Sequence, residues 1–414
     1  MKIERIEARE VLDARGTPTI ACTLVLQDGR TVSAQVASGQ SVGEYEAREA
    51  RDADRYDGKG VLKAIEHIQD IIAPSLIGQT PCVVSMDLKM MELDGTPDKA
   101  HIGGNAMLAV SKVVCRAQAL IQNMQVYELL AYLCDFETVS LPFAMFNLIN
   151  GGAHAHTDVS VQEFLLMPVG VTSFRASMEA MSDIFNTCEQ VLEEKKILVG
   201  IGDEGGYAAH LQTTEQVLDI MMEVLDRTDL HDEMVIALDV AANELYNKKT
   251  GLYHLDGNVF DTDELIAYYQ RLVEHYPIYS IEDGLEASNW KAWQQLNNAL
   301  GSEIQIVGDD LFATNPARII YGLEQQAANA AIIKPNQVGT VTETLQAIKL
   351  CKEHDMNVIV SHRSGDTCDD FIADLAVGTS AGQMKAGGLM RGERVAKYNR
   401  LLAIEDELMM NMLE

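Results

Sequence analysis

Six short apolar runs in the C-terminal part of the chain each lead into an ionisable residue. The runs have the length of strands, and their ionisable residues stand 22 to 43 residues apart, which leaves room for a helix between successive runs. In chain order these residues are Asp239, Glu282, Asp309, Lys334, Arg363 and Lys385. Alternation of strands and crossover helices predicts βα units and a mainly parallel sheet.

The order of charges along these runs predicts a particular kind of site. Parallel strands can close into a barrel whose active site lies at their C-terminal ends, so we expect the six side chains to converge at one mouth. The first three are carboxylates, which would repel one another without a cation. Oxygen ligands without a His or Cys pattern favour Mg²⁺ or Mn²⁺. The last three are cations, which suit an anionic substrate.

The N-terminal part has a different pattern. Two β-rich runs, Thr19–Leu26 and Thr31–Val36, flank an Asp-Gly turn and predict a hairpin. Helical periodicity then begins at about Glu44, Val61 and Asn105. Strands followed by helices indicate an α+β domain. Because the segment 136–142 has turn character, we expect an N-terminal domain over residues 1–137 and a barrel over residues 138–414.

Composition excludes several classes of function. The chain has 414 residues and a formal net charge of −30, which argues against non-specific binding to nucleic acid or to an anionic membrane. Seven scattered cysteines without a C-x-x-C pair suit a reducing compartment. No run of about 18 apolar residues predicts a membrane span, and the first residues have no apolar signal region. We therefore expect a cytoplasmic protein without a nucleic-acid partner.

Eight short segments resemble the motifs of the enolase family, in the order of that family, and the resemblance covers nearly the whole chain. Each segment alone is a weak match, but together they are specific. The segments are Ser38-Gly39-Gln40-Ser41, Asn150-Gly151-Gly152-Ala153-His154-Ala155, Gln162-Glu163-Phe164, Gly202-Asp203-Glu204-Gly205-Gly206, Ser280-Ile281-Glu282-Asp283-Gly284, Gly308-Asp309-Asp310-Leu311, Ile333-Lys334-Pro335-Asn336-Gln337 and Ser361-His362-Arg363-Ser364-Gly365.

The resemblance implies an α/β protein in which an N-terminal α+β domain with a mobile active-site loop precedes an enolase-type (β/α)8 TIM barrel. It implies reversible dehydration of 2-phosphoglycerate to phosphoenolpyruvate with two Mg²⁺ ions, or Mn²⁺ in their place. Lys334 would be the general base and Glu204 the general acid, with Glu163 as its carboxyl neighbour. The metal ligands would be Asp239, Glu282, Asp309 and Ser41; the substrate contacts would be His154, Gln162, Arg363, Ser364 and Lys385.

Some residues depart from the family pattern. Ala14 stands where the family usually has Ser, and Val42 replaces a Thr beside Ser41, so a hydroxyl is missing from the N-terminal loop. Neither change removes a proposed catalytic group. Two other functions stay open: another acid–base reaction of the wider superfamily, such as a dehydratase or racemase, and a non-enzymatic binding role. The resemblance also implies a homodimer or a higher oligomer such as an octamer, and leaves a second location at the cell surface or outside the cell open.

Overall fold

The computed structural model describes residues 1–39, 43–152, 155 and 157–411. Three antiparallel strands begin the chain, and β2 lies between β1 and β3. Helices follow and pack on this sheet, α4 most extensively. The bounds are β1 (Ile3–Leu12), β2 (Pro18–Leu26), β3 (Thr31–Gln35), α1 (Leu62–His67), α2 (Ala73–Leu76), α3 (Val83–Asp94), α4 (Gly104–Gln122) and α5 (Val126–Cys134), with a π-helical turn at Ile68–Ile72 and a 3-10 turn at Tyr56–Gly58. The predicted hairpin is confirmed.

The prediction of a helix from about Glu44 is wrong. Residues 47–50 are neither helix nor strand, because partners elsewhere in the fold take up their backbone hydrogen bonds. The amide of Ala47 donates to the carbonyl of Gln337 at 2.7 Å, and the amide of Ala50 donates to the side chain of Asn105 at 2.9 Å. This segment therefore bonds to α12 of the barrel and to α4 instead of forming its own helix.

The rest of the described chain forms a closed eight-stranded barrel surrounded by helices. The barrel strands are β4 (Phe143–Asn150), β5 (Glu163–Met167), β8 (Val235–Asp239), β12 (Ile278–Glu282), β13 (Gln305–Gly308), β14 (Ala330–Ile333), β15 (Asn357–Ser361) and β16 (Gly382–Gly387), and β16 pairs with β4 to close the ring. The hairpin β6 (Val199–Ile201) and β7 (Tyr207–Ala209) extends the sheet from β4, and β9 (Tyr246–Asn247), β10 (Leu252–Leu255) and β11 (Asn258–Phe260) form a separate small sheet.

Nearly every neighbouring pair in the barrel is parallel, as predicted, but β5 is antiparallel to both β4 and β8. The reason is the connection: its described residues, 151, 152, 155 and 157–162, form no α-helix, whereas parallel neighbours need a crossover connection, usually an α-helix. The helices are α6 (Phe174–Glu194), α7 (Thr214–Thr228), α8 (Ala242–Leu245), α9 (Thr262–His275), α10 (Trp290–Leu300), α11 (Pro316–Gln325), α12 (Pro335–Val338), α13 (Val341–Glu353), α14 (Phe371–Gly378) and α15 (Gly392–Asn411).

Local sequence signals explain where the helices begin. Asp261 caps α9: its side chain accepts from the amide of Glu264, whose side chain accepts in return from the amide of Asp261, both at 2.9 Å. Such a reciprocal capping box satisfies two amides that the helix cannot satisfy itself. Apolar residues on the inner face of α9 and of its neighbours then pack on the barrel in one continuous core. Among the described residues, no helix is long and apolar enough to cross a membrane.

The N-terminal domain is joined to the barrel mouth by backbone as well as by side chains. Ser38 and Gly365 exchange two backbone hydrogen bonds of 2.9 and 3.0 Å. The amide of Ala14 donates to the carbonyl of Asp366 at 2.8 Å. The ammonium of Lys112 lies 2.6 Å from the carboxylate of Asp369. The segment after β3 is thereby held at the ends of the barrel strands.

Asp87 on α3 links the two domains. Its buried carboxylate accepts from the amide of Thr342 at 2.9 Å and from the hydroxyl of Thr342 at 2.7 Å, at the first turn of α13. Burial raises the pKa of Asp87 to about 6, because the hydrogen bonds offset only part of the cost of removing the charge from water.

We expect Asp87→Asn to change how stability depends on pH. Because the folded pKa lies above the ordinary value of 3.8, the native state binds the proton more tightly, so the contribution of Asp87 falls as pH rises from about 4 to about 6. In the unmodified chain, Asp87 should lower the free energy of unfolding by on the order of 3 kcal/mol between pH 4 and pH 7. In Asp87→Asn this decrease should be absent. Urea unfolding at both pH values measures this. Exposed Asp54→Asn is the control; the same pH dependence in both variants would contradict the prediction.

Candidate active site

The predicted residues meet in one cavity at the C-terminal ends of the barrel strands. The cavity has a volume of about 90 Å³. Ten of the twelve predicted site residues are described, and nine of these line the cavity: Gln162, Glu163, Glu204, Asp239, Asp309, Lys334, Arg363, Ser364 and Lys385. The tenth, Glu282, bonds to Lys385. Ser41 and His154 lie outside the described residues. The geometry thus brings together what the strand-end pattern predicts.

Lys385 organises one group of carboxylates. Its ammonium lies 2.9 Å from Glu163, 3.0 Å from Asp239 and 2.8 Å from Glu282. Glu163 begins the antiparallel strand β5, whereas Asp239 and Glu282 end β8 and β12, and the three strands are neighbours in the barrel. Burial tends to lower the pKa of Lys385, but the surrounding carboxylates outweigh it and raise the pKa. Lys385 therefore holds its charge and fixes the carboxylates around it.

Lys334 forms a second ion pair with Asp309. The two side chains follow the neighbouring strands β14 and β13 and are in direct contact. Burial alone would lower the pKa of Lys334, but the Asp309 carboxylate outweighs it and raises the pKa. Gln337 also donates to Asp309, at 3.0 Å. The hydroxyl of Thr314 accepts from the backbone amide of Lys334 at 2.9 Å and thereby fixes the end of the strand.

Acidic side chains outnumber cations around the cavity. Among the residues that the structure describes, eight carboxyl side chains and three cationic ones line it, so the site is short of positive charge. Burial, and then the charge of Asp239, raise the pKa of Glu282 well above its usual range. Burial, and then the charge of Asp309, raise the pKa of Asp310 to about 6. A hard divalent cation fits this set of oxygen donors.

Two clusters in the described part of the chain bring possible ligand atoms within 4.8 Å of one another. One consists of Asp283, Asp309 and Asp310. The carboxylate of Asp283 also accepts from the amides of Asp309 and Asp310, at 2.9 and 3.0 Å, and so shapes the turn after β13. The acidic residues could therefore hold a metal ion at this end of the barrel.

The second cluster consists of Glu163, Glu204 and His362. Burial holds the pKa of His362 well below its usual range and so favours the neutral imidazole. Its Nε2 atom lies 3.7 Å from a carboxylate oxygen of Glu204. The loop that carries Glu204 is tied to the end of β16, because the amide of Gly388 donates to the carbonyl of Glu204 at 2.8 Å. This cluster is suited to holding and releasing a proton.

Arg363 provides the candidate anion site, and Glu46 of the N-terminal domain is its partner. The guanidinium reaches the carboxylate of Glu46 at 2.8 and 3.2 Å. Burial would lower the pKa of Arg363, but Glu46 outweighs it and raises the pKa. The carboxylate of Glu46 also accepts a hydrogen bond from the amide of Gly43, at 3.0 Å. Arg15 lies 3.4 Å from the hydroxyl of Ser364 and also binds carbonyls of the N-terminal segment.

Sequence reasoning missed several residues of the site. His362 lies inside one of the enolase-like motifs, but the sequence alone predicts no role for it. It follows a predicted strand, which is the signal that identified its neighbour Arg363. Glu46, Arg15 and Arg394 come from segments that precede or follow the barrel strands, where that signal does not apply. Gln337 could have been found only by knowing that α12 turns back toward Asp309.

Comparisons with known proteins agree with this geometry. The family model described as "Enolase, N-terminal domain" matches residues 3–130, and the model described as "Enolase, C-terminal TIM barrel domain" matches residues 138–413. The enolase of Wolinella succinogenes is 44% identical over 412 residues, which cover 98% of this chain and 97% of that protein. The similarity extends over both the N-terminal sheet and the barrel.

Proposed function

This chain belongs to the enolase family, and from that premise we propose that it catalyses the reversible dehydration of 2-phosphoglycerate to phosphoenolpyruvate, a step of glycolysis and gluconeogenesis. The observation that carries the proposal is the presence, in one cavity, of Lys334, the Glu163–Glu204 pair and the buried cation Arg363. These groups supply a base, an acid and an anion site. The acidic remainder of the cavity provides oxygen donors for a metal.

Lys334 is the general base in this proposal and takes the proton from C2. That step is difficult because the carbon is next to a carboxylate that is already negative. A lysine can act as a base only when it is neutral, so the contact with Asp309 that raises its pKa must be relieved in the working enzyme. Lys334 is held in place for this task by Thr314 at the end of its strand.

Glu204 is the general acid and protonates the C3 hydroxyl as it leaves as water. Glu163 lies beside it, and two adjacent carboxyls favour retention of one proton. Lys385 bonds to Glu163 at 2.9 Å and keeps that carboxylate in position. Arg363 and Ser364 would bind the phosphate and Lys385 the substrate carboxylate. Gln162 and His154 complete the proposed contacts.

The proposed cofactor is Mg²⁺, two ions per site, with Mn²⁺ able to replace it. The donor set fits, because it consists of carboxylate oxygens in a site that is short of positive charge. Asp239, Glu282 and Asp309 would hold the first ion, and Ser41 would join the second. When bound, the metal would stabilise the negative charge that develops on the substrate carboxylate.

A direct assay tests the proposed reaction. Formation of phosphoenolpyruvate from 2-phosphoglycerate is followed by its ultraviolet absorbance, with Mg²⁺ and after treatment with a chelator. We expect turnover only with metal. No turnover at saturating Mg²⁺ would contradict the function and would favour another acid–base reaction in the same barrel or a binding role.

Glu282→Gln tests the proposed metal site. The variant keeps the shape of the side chain but removes one of the charges that the metal would neutralise. We expect Mg²⁺ to bind at least about tenfold more weakly, since even mutation of a residue that only hydrogen-bonds to a metal ligand lowers metal affinity by about this factor. Calorimetric titration with Mg²⁺ measures the affinity without substrate. Glu244→Gln, which changes another carboxyl of the cavity, is the matched control; equal affinities in both variants would argue against the assignment.

The proposed assembly is a homodimer, with a higher oligomer as the alternative. The proposal is supported by β6, which is the edge strand of the large sheet. Its apolar residues and the residue before it are exposed: Leu198 by 74%, Val199 by 38% and Ile201 by 43%. An apolar strand edge of this kind invites pairing with a second copy. Analytical ultracentrifugation should show a dimer that Leu198→Asp weakens; a monomer at all concentrations would contradict the proposal.

We also propose a division into domains at residues 137 and 138 and a cytoplasmic location. The limits of the two family matches, 130 and 138, support the division. All seven cysteines are free, which suits a reducing compartment. Limited proteolysis with mapping of the first cleavage site tests the division. Fractionation of cells, with separate analysis of the cell surface, tests the location.

A further inference from the structure

Arg394 on α15 is fully buried and joins the loop that carries the candidate acid Glu204 to the loop after β15. One guanidinium nitrogen lies 2.6 Å from Nδ1 of His362 and also donates to the carbonyl of Arg363 at 2.6 Å. The other donates to the carbonyls of Ser364 at 2.7 Å and Asp203 at 3.1 Å. The side chain is 0% exposed. Hydrogen bonds from one helix thus hold both loops in place.

The contact with Arg394 determines the tautomer of His362. A guanidinium only donates hydrogen bonds, so Nδ1 of His362 has to accept, and the single proton of a neutral imidazole then lies on Nε2. Nε2 is the atom that faces Glu204, at 3.7 Å. This distance exceeds that of a formed hydrogen bond, but catalytic contacts are often long before substrate binds. An imidazolium would place an N–H against the guanidinium and is disfavoured.

We propose that Arg394 is a positioning residue for the acid step: it fixes His362 as the Nε2–H tautomer, which directs a donor at one oxygen of Glu204. That oxygen then accepts, so the acidic proton of Glu204 belongs on the other oxygen. The inference rests on the function proposed above for Glu204. It assigns to α15, which carries none of the strand-end residues, a part in the orientation of the proton that leaves with water.

The first experiment measures the tautomer directly. The full chain is labelled with ¹⁵N-histidine, and the ring nitrogens are observed in long-range ¹H–¹⁵N spectra without ligand; the spectrum of His362→Gln assigns the signal among the ten histidines. We expect Nε2 of His362 to carry the proton and Nδ1 to carry none. A proton on Nδ1 in the unmodified protein overturns the proposal, whatever the variants do.

The second experiment separates positioning from a merely structural role. In Arg394→Met we expect mixed tautomers and dehydration slowed by about 10- to 100-fold, the range for residues one layer behind a reacting group. Exchange of the C2 proton should change less than about threefold. Arg394→Lys, which keeps a donor and a charge, should restore most of the dehydration. Arg400→Met, on the same helix but paired with Asp374 and Glu407, is the matched control.

The outcomes are distinct. An equal fall of exchange and dehydration in Arg394→Met, or an unchanged tautomer, assigns Arg394 a structural role and overturns the inference. If Arg394→Met does not fold, as judged by circular dichroism, the spectrum of the unmodified protein and the two activities of Arg394→Lys decide. Absence of turnover on 2-phosphoglycerate by the unmodified protein contradicts the proposed function instead, whereas the wrong tautomer in an active enzyme contradicts only the role of Arg394.

Discussion

Lys334→Ala is expected to abolish exchange of the C2 proton of 2-phosphoglycerate with solvent and, with it, net turnover. The alanine leaves no group at the end of β14 that can accept the proton, and loss of a positioned base costs about 10²- to 10⁴-fold. Exchange is measured by the loss of the C2 proton signal of 2-phosphoglycerate in D₂O with Mg²⁺ present. Both exchange and dehydration should fall together, because no water can leave before the proton does.

Two further variants give this result its meaning. Lys334→Arg keeps the positive charge beside Asp309, but arginine does not release its proton in proteins, so it should be as inactive as the alanine variant. Lys291→Ala, an exposed lysine on α10, should leave both rates unchanged. Because Lys334→Ala also removes the partner of Asp309, Mg²⁺ affinity and thermal stability are measured in parallel. Exchange at the original rate in Lys334→Ala would exclude Lys334 as the base.

The strand-end residues could be predicted because a barrel brings residues that follow successive strands in the sequence together in space. When parallel strands close into a ring, the residues after them lie at one mouth, wherever they stand in the sequence. Asp239, Glu282 and Lys385 are far apart in the chain, yet they share hydrogen bonds in the structure. Neither their identity nor their spacing requires an alignment; the apolar runs before them are enough.

Other parts of the site could not be predicted in this way because their positions depend on packing between distant segments. Glu46 looks like a residue of an amphipathic helix, but it closes a turn in which its amide donates to the carbonyl of Gly43. The next residue bonds to the carbonyl of Gln337 on α12, and the carboxylate of Glu46 pairs with Arg363. Arg394 is one of several cations on a long C-terminal helix, and nothing local indicates which of them is buried. The antiparallel β5 likewise follows a connection whose described residues form no α-helix, which periodicity alone did not reveal.

Glu204→Gln is expected to separate the two halves of the reaction. Glutamine fills the same space in the loop between β6 and β7 and still accepts a hydrogen bond, but it has no acidic proton to give to the leaving hydroxyl. Lys334 is untouched, so exchange of the C2 proton should continue within a few-fold of its original rate. Formation of phosphoenolpyruvate should fall by about 10²- to 10⁴-fold, the usual contribution of a general acid. Both rates are measured on the same sample.

The comparison of the two variants is more informative than either alone. Asp203→Asn makes the matching change of carboxylate to amide at the neighbouring residue, which does not line the cavity, and should leave both rates unchanged. Equal losses of exchange and dehydration in Glu204→Gln would place Glu204 in the first step and refute its role as the acid. Retained exchange with blocked dehydration, against loss of both in Lys334→Ala, would require two separate proton-transfer groups in the cavity. An ordering of this kind follows from the geometry, in which the base follows β14 and the acid stands beside Glu163 and His362.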